Sequence, residues 1–200
     1  ERTYVMGILN LTPDSFSGDG LLTAYETSPL DGNEGANQGG TQTSVGELAL
    51  AQARKFLTAG ADILDIGGES TRPGSRPVEA AEEIRRVLPA IQAIVAEFPT
   101  AVISIDTSKT EVAREAFRAG AHILNDVWGL RADPQLAALA ARYKAAVVLM
   151  HNRSKPAHVE MRERIGNAYT GAEYQDLLED VKRELMESVQ LARLAGIPDD

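Results

Sequence analysis

Ala119-Gly120-Ala121-His122-Ile123-Leu124-Asn125 repeats, sixty residues on, the phrase Ala59-Gly60-Ala61-Asp62-Ile63-Leu64-Asp65. Each copy reads as a glycine that ends a helix, followed by a short apolar strand that stops at a polar residue. Ala195-Gly196-Ile197 opens the phrase a third time, and the chain stops before the strand that should follow. The expected architecture is a repeated βα unit, interrupted inside a repeating barrel.

Outward from these copies, the segments Tyr4 to Leu9, Ile63 to Ile66, Ala101 to Ile105, His122 to Leu124 and Ala145 to Met150 are short and apolar, with helix-period stretches between them. Strands apolar on both sides belong to a parallel sheet covered by helices, as in barrel or doubly wound α/β folds. Five βα units fit the length. Ser44-x-x-Glu47, Ser108-x-x-Glu111 and Thr170-x-x-Glu173 match capping boxes, and Asp133-Pro134 reads as N-cap and first helical residue. The last helix should carry Tyr174, Leu177, Leu178, Val181, Leu185, Val189 and Ala192 on the face that packs on the sheet.

The chain has 200 residues, 44% of them hydrophobic, and reads as a single domain over 1–200 with a flexible loop insertion at 18–44, rich in Gly, Asn, Gln, Thr and Ser. An alternative is that the insertion has no role. The absence of cysteine excludes disulfides and thiol chemistry and fits a reducing compartment, so the cytoplasm is the expected location. No apolar run reaches the ~18 residues of a membrane span. A formal net charge of -9 opposes binding to nucleic acid or anionic membranes. A small-molecule partner is therefore expected, any anionic group on it being held by dipoles, a metal ion or a few placed cations.

In parallel α/β folds the residues at the carboxyl ends of strands converge on one face, where ligands bind. Here these are Asn10, the loop Gly67 to Gly74, Asp106, Asn125 and Met150-His151-Asn152. Asn10 can tie its own loop, or offer an amide oxygen to Mg²⁺. Asp106 has no evident structural duty if Ser108 caps the following helix, although a structural role stays open. Asn125 offers both a donor and an acceptor, and with Asp106 it suits a flat heterocycle with a mixed hydrogen-bonding edge. Arg72 can grip a phosphate or carboxylate, or simply lie in a surface turn. Arg76, Arg131, Arg153 and Lys155 are expected on the solvated face, and His151 as a packing or rim residue rather than an acid or base.

Met6 to Ser17 (Met-Gly-Ile-Leu-Asn-Leu-Thr-Pro-Asp-Ser-Phe-Ser), Asp65 to Gly74 (Asp-Ile-Gly-Gly-Glu-Ser-Thr-Arg-Pro-Gly), Ser104-Ile-Asp-Thr107 and Asn125-Asp-Val-Trp-Gly129 together resemble the dihydropteroate synthase family. The resemblance implies a (β/α)₈ TIM barrel, of which about the first five βα units are present. It also implies a transferase of folate biosynthesis that joins 6-hydroxymethyl-7,8-dihydropterin pyrophosphate to p-aminobenzoate with release of pyrophosphate. By the same resemblance Asn10 would hold Mg²⁺ and the pyrophosphate, Thr71 and Arg72 would line the substrate site, and Asp106 and Asn125 would bind the pterin, with Val127 and Met150 as pocket wall. Phe16 and Pro73 would form the p-aminobenzoate pocket, which is also the sulfonamide site. A homodimer is implied for the complete protein.

Two features depart from the family pattern. Ser17-Gly18-Asp19-Gly20 shifts the loop carboxylate by one residue, so Asp19 is the candidate second Mg²⁺ ligand. The family's later strand motifs, with another pterin carboxylate and most of the anion-binding cations, are not in the sequence. Five strands alone would leave two unpaired edges and an uncovered apolar interior. Rival readings are a pterin-binding methyltransferase domain, against which the Asn10 motif and the Thr71-Arg72-Pro73 loop argue, and a noncatalytic pterin-binding homologue.

Overall fold

A computed structural model of the chain describes residues 2–12, 44–70, 77–153 and 173–199. Five strands, β1 (Met6–Asn10), β2 (Ile63–Gly67), β3 (Val102–Asp106), β4 (Ile123–Asp126) and β5 (Ala146–Leu149), form one sheet in the order 1-2-3-4-5. All neighbours are parallel. Helices α1 (Val45–Thr58), α2 (Ala80–Glu97), α3 (Thr110–Ala119), α4 (Leu136–Tyr143) and α5 (Leu177–Leu194) alternate with them. Each helix packs on the next in chain order. A doubly wound sheet reverses its strand order at a switch point and places helices on both faces. Neither occurs, so the chain forms the first five βα units of a (β/α)₈ barrel.

Alternation along the strands divides the residues between two faces. Leu9, Leu64, Ile66, Ile103, Ile105 and Leu124 are almost wholly buried against helix residues such as Ala49, Ala53, Ile91, Ile94, Val112 and Ala116. Gly7 lies on this helix-facing side, where a Cβ would stand 2.7 Å from Phe56 of α1. Gly7→Ala is expected to overpack the contact and destabilise the fold by about 1–3 kcal/mol. A thermal melt should show a fall of roughly 2–12 °C, and an unchanged melting temperature would contradict this packing of β1 on α1.

The repeated phrase has one geometry in all three copies. Gly60, Gly120 and Gly196 take φ of +96°, +112° and +89°. The next amide then turns back to the helix: Ala61 to the Phe56 carbonyl at 2.9 Å, Ala121 to Ala116 at 2.9 Å, and Ile197 to Ala192 at 3.0 Å. These are Schellman closures, and they launch the chain toward the next strand.

The Ser44 capping box is present in both directions. The expected cap at Ser108 is not. Helix α3 begins at Thr110 with Lys109 as N-cap, and the Thr110 amide donates to Asp133 Oδ2 at 2.9 Å. Asp133 also accepts from the Gln135 amide at 2.9 Å, but it is not the cap expected of it: α4 begins at Leu136 with Gln135 as N-cap, two residues later than Asp133-Pro134 signalled, because Pro134 and Gln135 form a turn. A carboxylate delivered from the next loop thus replaces the local hydroxyl.

Thr170 lies outside the described residues. Helix α5 starts later, at Leu177, where Asp176 accepts from the Leu178 and Glu179 amides. Of the expected apolar face Ala192 is buried, but Leu177 and Leu178 are 58% and 68% exposed, while Asp180 and Ser188 are buried instead. The Gln175 amide and Arg153 draw Asp180 inward, which rotates the first turn of the apolar stripe away from the core.

Candidate functional site

The inner face of the sheet carries the site, and strand register sets its rows. Asn10, Gly67, Asp106, Asn125 and Val148 are laterally paired at the carboxyl end. One layer below run Ile8, Asp65, Ser104, Ile123 and Ala146. The interior is therefore not uniformly apolar as expected: Ile8 and Val148 are 57% and 43% exposed, but four polar side chains sit between them. Asn10, Asp106 and Asn125 belong to the strands rather than to the loops after them. Gly67 leaves the gap between Asn10 and Asp106 free of a side chain.

Three neighbouring polar atoms on this face, Asp65 Oδ1, Ser104 Oγ and Asp106 Oδ1, are buried without a hydrogen-bond partner among the described residues. Unpartnered buried polar atoms are uncommon in native proteins. Burial, then the charges of Asp65, Glu83, Asp126 and Glu69, push the Asp106 carboxyl up to about 8. Its Oδ1 thus awaits a donor or a positive charge. Asn125 Nδ2 donates to Asp65 Oδ2 at 3.0 Å, reaching across β3. Asp65 was not among the expected site residues, and its place at the head of the Asp-Ile-Gly-Gly motif was the available signal.

Val127 is half-buried in the turn after β4, and Met150 is 45% exposed after β5. They follow directly after the carboxyl ends of β4 and β5, next in the chain to the end of the sheet that carries Asn125. Asp126 between them faces the helices, where its carboxylate accepts from the Trp128 and Leu130 amides and shapes the turn. Phe16, Asp19, Thr71, Arg72, Arg76, Pro73 and Lys155 lie outside the described residues.

Behind the site is an ion network that the sequence reading missed. Lys109 Nζ contacts Glu69 Oε2 and Glu83 Oε2, each at 2.5 Å. Glu83 is fully buried. Burial alone would lower the Lys109 pKa, but the hydrogen bonds and charges of the two carboxylates prevail and raise it. Glu69 also accepts from the Val78 amide at 2.8 Å. One carboxylate thus joins both flanks of residues 71–76 to the start of α3.

A second cluster forms beneath β5. His151 Nε2 lies 2.8 Å from Glu184 Oε2, and Arg153 reaches Glu184 at 2.5 Å and Asp180 at 3.0 Å. The guanidinium stacks 4.1 Å from the Tyr174 ring centre. Arg153, chiefly by hydrogen bonding, holds the Glu184 carboxyl down to about 2. Arg153 is thus a tether between β5 and α5, correcting its expected place on the solvated face, because two carboxylates on one helix face claim it. His151 serves the same contact, as expected for a packing residue. Arg131 is exposed.

Asn10 is half-buried, and its amide makes no hydrogen bond to another described residue. An amide oxygen is a hard ligand suited to Mg²⁺, which keeps several waters and needs few protein donors. Asn10 can offer one such donor. Among the described residues there is no cluster of three His, Cys, Asp or Glu side chains placed to hold a metal. No described helix is long and apolar enough to cross a membrane.

The profile of the family described as "Pterin binding enzyme" matches residues 6–200. The dihydropteroate synthase of Clostridium beijerinckii is 40% identical over 200 residues, a match covering 100% of this chain and 60% of that relative. A crystal structure of the dihydropteroate synthase of Clostridium difficile in the presence of pteroic acid superimposes with a TM-score of 0.73 at 36% identity, covering 100% of this chain and 62% of that one. The Xanthomonas albilineans dihydropteroate synthase with 4-aminobenzoic acid gives 0.72 at 38% identity, covering 99% and 59%. This chain thus spans about 60% of the length of the relatives it matches. With the inner-face carboxylates and amides on the register just described, the chain belongs to the pterin binding enzyme family.

Proposed function

We propose that this chain provides the pterin-binding part of a dihydropteroate synthase, a transferase of folate biosynthesis acting on 6-hydroxymethyl-7,8-dihydropterin pyrophosphate and p-aminobenzoate. The observation that carries the reading is the pairing of Asp106 and Asn125 at the carboxyl end of the sheet, with Asp106 Oδ1 buried and without a hydrogen-bond partner among the described residues. A pterin ring presents N–H donors to the first and a mixed edge to the second. In the reaction the bond between the methylene carbon and the pyrophosphate oxygen breaks, the electron pair leaving with pyrophosphate. The amine of p-aminobenzoate then forms the carbon–nitrogen bond and gives up a proton.

Positive charge that develops on the pterin favours the ionised form of Asp106, so the carboxylate binds the transition state better than the ground state. Asn125 orients the ring, and Val127 and Met150 bound it at the mouth. Asn10 would hold Mg²⁺, which supplies charge for the departing pyrophosphate. The remaining assignments are Thr71 and Arg72 to the pterin pyrophosphate, Phe16 and Pro73 to p-aminobenzoate and its sulfonamide mimics, and Asp19 to the metal. A cytoplasmic homodimer completes the reading.

Release of pyrophosphate by the full-length protein should require both the pterin substrate and p-aminobenzoate. Binding of the pterin pyrophosphate without release would show a noncatalytic binder instead. Asn125→Ala is expected to weaken pterin binding about tenfold or more, since it leaves ring groups unpaired. Unchanged affinity in calorimetry would place the ring elsewhere.

A further inference from the structure

Asp65 is buried, 3% exposed, on the inner face one layer beneath Asp106 and Asn125. It is the only described side-chain partner of the Asn125 amide, through the 3.0 Å bond from Nδ2 to Oδ2. An ionised carboxylate accepts but cannot donate, so only the NH₂ side of Asn125 can face it. The amide is thereby fixed with Oδ1 turned away from Asp65, toward the open carboxyl end. We propose that Asp65 is a positioning residue that sets which edge of a ligand this site accepts: by aiming the Asn125 carbonyl at the ligand, it selects rings that present an N–H there. Asp65 Oδ1 and Ser104 Oγ, both buried without a hydrogen-bond partner among the described residues, lie in the layer below and offer a second acceptor and a hydroxyl to a ring or a bridging water.

The inference rests on the pterin reading but adds to it a direction for the amide and the residue that imposes it. Asp65→Asn keeps size and shape but supplies an NH₂ that can face the Asn125 carbonyl, so the Asn125 amide is free to turn over and offer the ligand the wrong group. Asn125→Asp sets two carboxylates against each other. The double exchange, Asp65→Asn with Asn125→Asp, restores one hydrogen bond of reversed sense: the new amide at 65 donates to the new carboxylate at 125, whose other oxygen still accepts from the ligand.

The test is calorimetric titration of the full-length wild type, both single variants and the exchange with 6-hydroxymethyl-7,8-dihydropterin pyrophosphate, alongside thermal melts. Each single variant should lose about ten- to hundredfold in affinity, and the exchange should return to within about fivefold of wild type. An Asp65→Asn protein that binds as wild type, or an exchange that melts normally yet binds no better than the single variants, would overturn the inference. If Asp65→Asn does not fold, the exchange decides alone. An exchange that does not fold also counts against the proposal, because it would show that the carboxylate at 65 serves the core rather than the aim of the amide. Failure of the wild type itself to bind the pterin would refute the functional reading instead.

Discussion

Asp106→Asn in the full-length protein should melt higher than the wild type at pH 8 while losing most of its turnover. The Asp106 carboxyl is raised to about 8, mainly by burial and then by Asp65, Glu83, Asp126 and Glu69. For an acid raised in the folded state, the native protein binds more protons than the unfolded chain between the ordinary value of 3.8 and about 8. Stability therefore falls as pH rises through that window. An amide at 106 carries no such cost, so the difference between the two proteins should be small near pH 4 and largest at pH 8 and above. Asp106 is mostly but not wholly buried, and residual solvent access reduces the effect to about 1–3 kcal/mol, or roughly 2–12 °C. Turnover should fall about 10²- to 10³-fold, because an amide cannot stabilise the developing cation. Melting temperatures that track the wild type from pH 4 to 9, or near wild-type kinetics, would contradict this account.

Lys109→Met should produce the largest loss of stability. It removes the cation that faces Glu69 and Glu83 at 2.5 Å each and leaves the fully buried Glu83 uncompensated. Breaking a buried pair by removing one partner costs about 3–5 kcal/mol, a fall of roughly 6–20 °C for a domain of this size. Adding Glu83→Gln should recover much of the loss, since the neutral amide needs no cation. Turnover should drop as well, because Glu69 joins both flanks of the segment that carries Thr71 and Arg72 to α3. A melt within 2–3 °C of wild type would show that the network does not hold these elements together.

The strands were legible because each is short and carries Leu, Ile or Val on its helix-facing side, and the polar residues that close them stood out as candidates against that apolar background. Neighbouring strands lie in register, so Asn10, Asp106 and Asn125 converge without any further information. What stayed hidden depends on contacts between distant segments. The Asp65 to Asn125 bond crosses a whole strand, and no local pattern marks it. Lys109 reads as a surface cation until Glu69 and Glu83 are brought to it, although Glu83 on the apolar side of α2, with Val87, Ile91 and Ile94 at helical spacing, was a visible anomaly. The Ser108 cap failed because α3 begins at Thr110, whose amide takes its carboxylate from Asp133, more than twenty residues on. Of the expected helix starts the Ser44 box holds as read, whereas α3 and α4 begin later than Ser108 and Asp133-Pro134 signalled, since a contact from a distant segment supplies the α3 cap.

The central claim is that the pterin ring sits on the inner face of the sheet against Asp106 and Asn125. A crystal structure of the full-length protein soaked with pteroic acid tests it directly. The ring edge should lie within hydrogen-bond distance of the Asp106 carboxylate and of Asn125 Oδ1, with Asn125 Nδ2 still donating to Asp65. A ring bound elsewhere on the molecule, or one that meets Asn125 through its NH₂ with the Asp65 bond broken, would contradict it.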